Sequence, residues 1–527
     1  MLTYFVIAPI LIAVFLYLLS SRYIAKLLAI LVQAVFLGFT FFLFMQTRES
    51  TIITVVGGYE YTLGIVLRAD MLSAAFVMLT SFIFLITAIY ALNESWSKLY
   101  WLLIYIWQGL IIGIFLVRDF FNVFVLFEVA TLIVAVLILF LRERRSVFDG
   151  LIYIMVNTVA IQFYLFGVAY VYMLTGTLNM DIAAAALAEI AATDPTQLTL
   201  PYVLIMTAII FKCALIPLAS WLPKVQGIPR APSAVAAILS GLHVKCAVFL
   251  FLQFQLLFEP IANSDFFLIL GLLTAILSII MAFSQDDIRL ILAYSSTAQI
   301  GLIVVGLSTG GANYGSLYHI INHAIFKTSL FLTSGMLMQI YKTRDINKIT
   351  GVFKNSPVLG VAMLLSILAI AGAPLFNGNV SKYFIMDDIA PWLYVTLSVV
   401  NFGTIAIFVR YSLMLLGKPD NAEVVVMHKN KLVSVLLLGV ISLLTGIFGV
   451  WSMNFLFDTQ LALSFGSYLE KTIIFFVSVA LAVLLCKYRA KMLVQLEYIR
   501  NLDLNFRGMC VSVGLFFAVM LLFVGIF

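Results

Sequence analysis

The chain has 527 residues, of which 64% are apolar and only 10% are charged, and its mean hydropathy is +1.15. A soluble domain carries roughly 25% charged residues, so this composition excludes a soluble enzyme, a disordered chain and a nucleic-acid-binding protein, and leaves an all-α polytopic membrane protein. The formal net charge of +6 is small for the length, so the placement of the charges says more than their sum.

An α-helix needs roughly 20 apolar residues to cross the hydrocarbon core. Sixteen runs qualify, in chain order 2–20, 24–46, 70–92, 100–117, 120–141, 151–174, 202–219, 233–257, 266–284, 289–308, 313–339, 358–386, 391–416, 432–452, 472–487 and 509–527. The first lacks the basic n-region of a cleaved signal peptide and reads as a span. The twelfth contains a Gly-Ala-Pro break, and the fifteenth is short. The stretch 178–192 reads as a short interfacial helix. No polar insertion is long enough for an extramembrane domain. Cys213, Cys246, Cys486 and Cys510 are scattered without a C-x-x-C pair, so neither a disulfide framework nor a Cys-ligated cluster is expected.

Alternating the loops divides the basic residues unevenly. The side reached after odd-numbered spans holds 21 Lys and Arg, among them Arg142, Arg144, Arg145, Lys342, Arg344, Lys348, Lys354, Lys487, Arg489 and Lys491. The other side holds Arg48, Arg68, Arg118 and Lys471. The positive-inside rule places the basic side in the cytoplasm or its equivalent, with both termini outside. A prokaryotic cytoplasmic membrane or an organelle inner membrane is the expected location.

Five basic residues fall inside spans: Lys212, Lys245, Lys327, Lys382 and Arg410. Glu128, His243, His319 and His323 are intramembrane too. Arg410 lies eight residues before Lys418 and is expected to snorkel. The others cannot do so easily, and a charge at mid-bilayer is unfavourable by at least about 2.5–3.5 kcal/mol. Such residues pair or line a wet cavity, and they commonly mark an ion path. Lysine suits proton work because burial and a nearby carboxylate act on it in opposite directions. Glu128 of span five is therefore read as the switch partner of Lys212 of span seven; a purely structural ion pair is the alternative.

Pro217 follows Lys212, and Pro374 precedes Lys382. Proline within a span interrupts the helix and frees a carbonyl. The two interrupted spans run in opposite directions, five spans apart, which is a pointer to a transport site between inverted halves, spans four to eight and nine to thirteen. Span eight carries His243 and Lys245, with Lys245 read as the central carrier and His243 as a lesser contributor or a packing residue. Span eleven carries His319, His323 and Lys327 at i, i+4 and i+8, one face of a helix about 12 Å long at 1.5 Å per residue. Imidazole both donates and accepts near neutral pH, which suits a proton relay. Two histidines one turn apart also suit a metal or a haem, but no second ligand cluster or H-E-x-x-H accompanies them, and Lys327 would repel a cation.

At these residues the chain resembles the antiporter-like subunits shared by Mrp-type cation/proton antiporters, respiratory complex I and membrane-bound hydrogenase-type complexes. The matching segments are FKCALIPLASWLPKVQGIPRAPSAVAAILSGLHVKC (211–246), DDIRLILAYSSTAQIGLI (286–303), HIINHAIFKTSLFLTSG (319–335), AGAPLFNGNVSK (371–382) and Asp70 to Ser73. The resemblance implies a fourteen-helix core with two inverted five-helix repeats and broken helices seven and twelve, followed here by about two extra helices. Residues 1–92 would be the first three helices, 100–257 and 266–416 the two repeats, and 432–527 the C-terminal helices. It further implies that Glu128 and Lys212 form the family's Glu–Lys pair, that Lys245 is the central lysine, that His319, His323 and Lys327 belong to the connecting axis, and that ions leave by Lys382. The stretch 488–508 looks too short for the long lateral helix of the largest complex I homologue.

The expected function is proton translocation within a multi-subunit, redox-driven pump of the complex I or hydrogenase type; the alternative is a stand-alone Mrp-type Na+/H+ antiporter. The chain has no flavin, nucleotide or cluster motif, so it is expected to bind no cofactor, with any Fe–S clusters or flavin on partner subunits. Partners would be other antiporter-like and small membrane subunits, a peripheral redox arm, H+ and Na+, and the lipid bilayer.

Overall fold

The computed structural model describes residues 1–19, 22–140, 144–228, 231–309, 313–419, 427–500 and 504–526, without the side chains of 22–23, 144–146, 489–500 and 526. Arg142 and the side chains of Arg144, Arg145, Arg489 and Lys491, counted above on the basic face, lie outside the described residues, as do the ends of spans one, five and sixteen.

The elements in order are α1 Leu2–Leu18, α2 Arg22–Thr47, β1 Ile52–Val55, β2 Val66–Ala69, α3 Met71–Tyr90, α4 Lys98–Leu116, α5 Phe120–Leu139, α6 Arg144–Thr175, α7 Met180–Thr193, α8 Thr196–Lys212, α9 Trp221–Gln226, α10 Ser233–Ile238, α11 Val244–Leu257, α12 Ser264–Ser284, α13 Ile288–Ser308, α14 Tyr314–Tyr341, α15 Val352–Asn355, α16 Pro357–Ala371, α17 Asn377–Ile385, α18 Pro391–Ser412, α19 Lys429–Ile447, α20 Gly449–Phe457, α21 Phe465–Arg500 and α22 Phe506–Ile526. A π-turn, Leu239–His243, joins α10 to α11. Among the described residues twelve helical segments, with α10 and α11 counted as one, are long and apolar enough to cross a membrane. The polytopic helical fold expected from composition is therefore present.

Helices that start at a membrane face must satisfy their first N–H groups locally. Asp70 and Ser73 do so for α3 as a capping box, with Ser73 N donating to Asp70 Oδ1 at 2.8 Å and Asp70 N donating to Ser73 Oγ at 2.9 Å. Asp119, Asn179, Asn263, Asp287 and Asn313 cap α5, α7, α12, α13 and α14 with a side-chain oxygen that accepts a first-turn backbone N–H.

Burial sorts the helices by environment. The α10–α11 window is wholly buried, whereas that of α21 is only 11% buried. The long α14, about 42 Å at 1.5 Å per residue, is buried along nearly its whole length. It carries His, Asn, Lys, Ser and Thr and does not reach the hydropathy of a lipid-facing span. Its surroundings are other helices, which supply acceptors that lipid cannot.

Three expectations change. Residues 47–69 are not simply a loop: β1 and β2 form an antiparallel hairpin with Ile52 opposite Ala69. β-branched residues dominate TIITVV, and Gly57 and Gly58, both at positive φ, follow it. The fifteenth span starts earlier, at Phe465, and runs on to Arg500. Most of 488–508 therefore continues that helix instead of forming a separate connector, and Lys471 lies on the helix, not in a loop. Arg410 does not snorkel. It is buried, its NH2 lies 2.6 Å from Asp286 Oδ1, and NH1 donates to Phe283 O at 3.0 Å.

Two connections repeat the same geometry. Phe120 N donates to Leu178 O and Met180 N to Arg118 O, each at 3.0 Å. Ile288 N donates to Arg344 O at 2.8 Å and Ile346 N to Asp286 O at 3.0 Å. Each pair of bonds ties the start of one span to the segment that follows the next span, once at span five and once at span ten. The C-terminal helices close the flank: α21 packs on α18 and α12, and α22 packs on α8 and α6.

The α12–α13 crossing depends on paired glycines. A Cβ on Gly301 would sit 2.7 Å from both Ala275 N and Gly271 O. Overpacking of this kind typically destabilises by about 1–3 kcal/mol. Gly301→Val is therefore expected to lower the thermal unfolding midpoint in detergent by several degrees, read by tryptophan fluorescence; an unchanged midpoint would show that the crossing tolerates separation.

Candidate ion-translocation site

The intramembrane ionisable residues fall on the interrupted elements and on the helices packed against them. α8 stops at Lys212, and the chain resumes helical structure only at Leu218–Ser220 and α9. α16 stops at Ala371, and α17 begins at Asn377 with Lys382 inside it. Pro217 and Pro374 lie within these two breaks. Each break also holds one non-glycine residue in the left-handed region, Ala214 at φ 56° and Leu375 at φ 70°, an uncommon conformation for residues with a Cβ. The exposed polar groups of the first break find partners: Trp221 Nε1 donates to Phe211 O at 2.8 Å, and Ile216 N to Thr274 Oγ1 at 3.1 Å.

Lys212 is buried, and its ammonium donates to Thr131 Oγ1 on α5 and Asn157 Oδ1 on α6, both at 2.9 Å. It also lies 5.4 Å from the centre of the Phe127 ring. Glu128 and Lys212 lie within electrostatic reach of each other, but Lys212 spends its hydrogen bonds on Thr131 and Asn157. Glu128 is half-buried, and its Oε1 is buried without a hydrogen-bond partner. It borders an outward-facing apolar stripe of α5 made by Phe121, Val125, Val129 and Leu132. Lys212 is thus held inside by neutral oxygens, with Glu128 at the rim.

His243 packs against Phe127 as well, with ring centroids 6.3 Å apart. Trp107 Nε1 donates to its Nδ1 at 3.3 Å. An indole N–H can only donate, so Nδ1 is unprotonated here and the ring is held as the neutral Nε2–H tautomer. Lys245 is fully buried and donates to Ser240 O within the π-turn. A π-turn displaces carbonyls from the regular α-helical ladder, and Lys245 takes one of them.

Between Lys245 and Lys327 lie two hydrogen-bonded groups, one at Ser240 O, which takes Lys245, and one that joins Ser240 Oγ to Ser296 and meets Lys327 at Leu292 O. Ser240 Oγ meets Ser296 Oγ of α13 at 2.9 Å, Ser296 Oγ bonds Leu292 O at 2.9 Å, and Lys327 of α14 donates to that same carbonyl at 2.8 Å and to Ser295 Oγ at 2.5 Å. His319, His323 and Lys327 are all fully buried on α14. His319 Nε2 faces Gln299 Oε1 at 3.0 Å, and Nδ1 faces Ser381 Oγ at 2.8 Å. The Ser381 hydroxyl also has Asn377 O at 3.1 Å as an acceptor. It can therefore donate to a neutral His319 or turn to Asn377 O and accept from a charged one. Both ring nitrogens of His323 lack a partner, and its ring lies 6.2 Å from that of His319. Lys382, one residue beyond Ser381, donates to Ile370 O at 2.9 Å, a carbonyl freed by the second break.

The sequence reading missed the neutral members Thr131, Asn157, Ser240, Ser295, Ser296, Gln299 and Ser381. Among them only the polar run YSSTAQ within an otherwise apolar span was a usable signal. Among the described residues no three His, Cys, Asp or Glu side chains converge as a metal site would require.

If the Lys212–Asn157 bond stabilises the fold, Asn157→Leu is expected to reduce stability by about 1.5–3 kcal/mol, the range for a hydrogen bond to a charged group. The loss should shrink when Lys212→Met is already present, because no ammonium is then left unsatisfied. Equal losses in the two backgrounds, measured by thermal unfolding, would contradict the assignment.

Residues 117–408 match the family described as NADH:quinone oxidoreductase/Mrp antiporter, transmembrane. An Na(+)/H(+) antiporter subunit of Alkalihalophilus pseudofirmus is 33% identical over 337 residues, 62% of this chain and 68% of that one. An NADH-quinone oxidoreductase subunit of Desulforudis audaxviator is 31% identical over 363 residues, 66% of this chain and 71% of that one. The fold superposes on a chain of the Mrp complex from Dietzia sp. with a TM-score of 0.79 at 23% identity, covering 91% of this chain and 99% of the other. The chain therefore belongs to the NADH:quinone oxidoreductase/Mrp antiporter family, as an integral, multi-pass, antiporter-like ion-translocating subunit.

Proposed function

We propose that the chain carries protons across the membrane within a multi-subunit complex, by hopping through intervening water between Lys212, Lys245, the α14 residues His319, His323 and Lys327, and Lys382. The observation that supports this most strongly is the placement of the Ser240, Ser295 and Ser296 hydroxyls between Lys245 and Lys327, buried where the π-turn, α13 and α14 meet. Lys245 rather than His243 is the carrier at the π-turn, because the Trp107 indole occupies His243 Nδ1. Glu128, at the edge of the exposed α5 stripe, is placed to sense a neighbouring subunit and to tune Lys212 when the two approach. The two interrupted helices and the two equivalent backbone bridges at spans five and ten favour inverted halves, spans four to eight and nine to thirteen. Both termini lie opposite the basic face, which is read as cytoplasmic.

The driving reaction is read as redox chemistry on partner subunits, in keeping with the relative from an NADH-quinone oxidoreductase. A second reading, a Na+/H+ antiporter with no redox partner, is favoured by the similarity to a subunit of an Na(+)/H(+) antiporter. Purification through a tag on this chain separates them: redox subunits with clusters or flavin should accompany it in the first case, and small membrane subunits alone in the second.

Lys212→Ala and Glu128→Ala are each expected to reduce proton flux of the reconstituted complex at least tenfold while co-purification of the partners is unchanged. Wild-type flux in either variant, read with a pH-sensitive dye inside liposomes, would refute the path.

A further inference from the structure

Lys471 is a second lysine at the far end of this path. It lies on α21, outside the segment matched to the family, and it is half-buried. Its ammonium donates to Tyr383 O at 3.1 Å and sits 3.8 Å from the centre of the Tyr383 ring. Lys471 and Lys382 line one cavity of about 70 Å³ between α17, α18 and α21, room enough for water.

The cavity is chemically prepared for such water. Asn379 and Asn401 line it, and each uses its amide N–H, on Gly372 O and Met386 Sδ respectively. Each leaves its buried amide oxygen without a partner. Ser398 adds a hydroxyl to the wall. The ammonium groups are three-fold donors, and each has one protein acceptor here: Ile370 O for Lys382 and Tyr383 O for Lys471. The acidic groups within electrostatic reach of Lys471 are Asp387, in the turn after α17, and Glu470. Both stand at the face opposite the basic one.

We infer that Lys471 is the last proton carrier of the path, receiving the proton of Lys382 across the α17–α21 cavity and releasing it beside Asp387 and Glu470. In this step the Lys382 ammonium gives one proton to cavity water, the water passes one to the Lys471 amine, and the resulting ammonium loses one to the outer aqueous face. The inference rests on the proton path proposed above.

The test uses the complex purified with its native partners, reconstituted in liposomes, with proton flux driven by a potassium diffusion potential. Lys471→Gln should lower flux at least tenfold. Lys471→Arg should be equally impaired, because a guanidinium keeps its proton, whereas Lys471→His should retain at least about a third of the flux, because imidazole exchanges one. Partner co-purification and the unfolding midpoint should match the wild type in all three. Near-normal flux in the Gln variant, rescue by Arg, or loss in the His variant equal to that in Gln would each overturn the role of Lys471. Lys382→Gln separates the two levels. Wild-type flux there would refute the path itself, while loss there alongside normal flux in Lys471→Gln would remove Lys471 alone.

Discussion

An ammonium in the middle of a membrane must find acceptors, and lipid has none to give. This constraint organises the interior of the protein. Lys382 takes a carbonyl released where α16 stops, and Lys245 takes one displaced by the π-turn. Lys212 takes the side-chain oxygens of Thr131 and Asn157, and Lys327 takes Leu292 O and Ser295 Oγ. Departures from regular helix therefore stand beside Lys212, Lys245 and Lys382, whereas Lys327 is held by the regular α13. The same departures would be unfavourable against lipid, so these segments are enclosed by other helices, and the most polar of them, α14, lies deep in the protein.

The acceptors are neutral oxygens, not carboxylates, and this has a chemical consequence. A lysine held by a carboxylate inside a low-dielectric protein is a tight ion pair that surrenders its proton with difficulty. Hydroxyl, amide and backbone oxygens hold the ammonium while leaving the neutral amine accessible as an alternative state. The shell around His319 has the same property, since the Ser381 hydroxyl can face either the ring or Asn377 O. Glu128 stays at the rim of the bundle, where movement of a neighbour can alter its distance from Lys212.

Much of this was legible in the sequence, for a physical reason. Charges and prolines are so rare in an apolar chain that Lys212, Lys245, Lys327, Lys382, Pro217 and Pro374 stand out one by one, and the spans follow from hydropathy. The partners were not legible. Thr131, Asn157 and Ser381 are ordinary residues until the packing of α5, α6, α14 and α17 brings them to a charge. Pairing Glu128 with Lys212 follows from charge complementarity, but the hydrogen bonds of Lys212 go to the neutral oxygens of Thr131 and Asn157. Lys471 read as a loop residue because the polar residues around 458–471 lower the local hydropathy, although the helix begins at Phe465. The β-hairpin was hidden by the same focus on span-length runs.

The last two helices lie on different parts of the bundle, α21 against α12 and α18 and α22 against α6 and α8. Each covers a different interrupted region: α21 lies beside the break that carries Lys382, and α22 lies on α8, which ends at Lys212. The C-terminal helices are in this sense an insulating jacket over the two places where the backbone departs from regular helix.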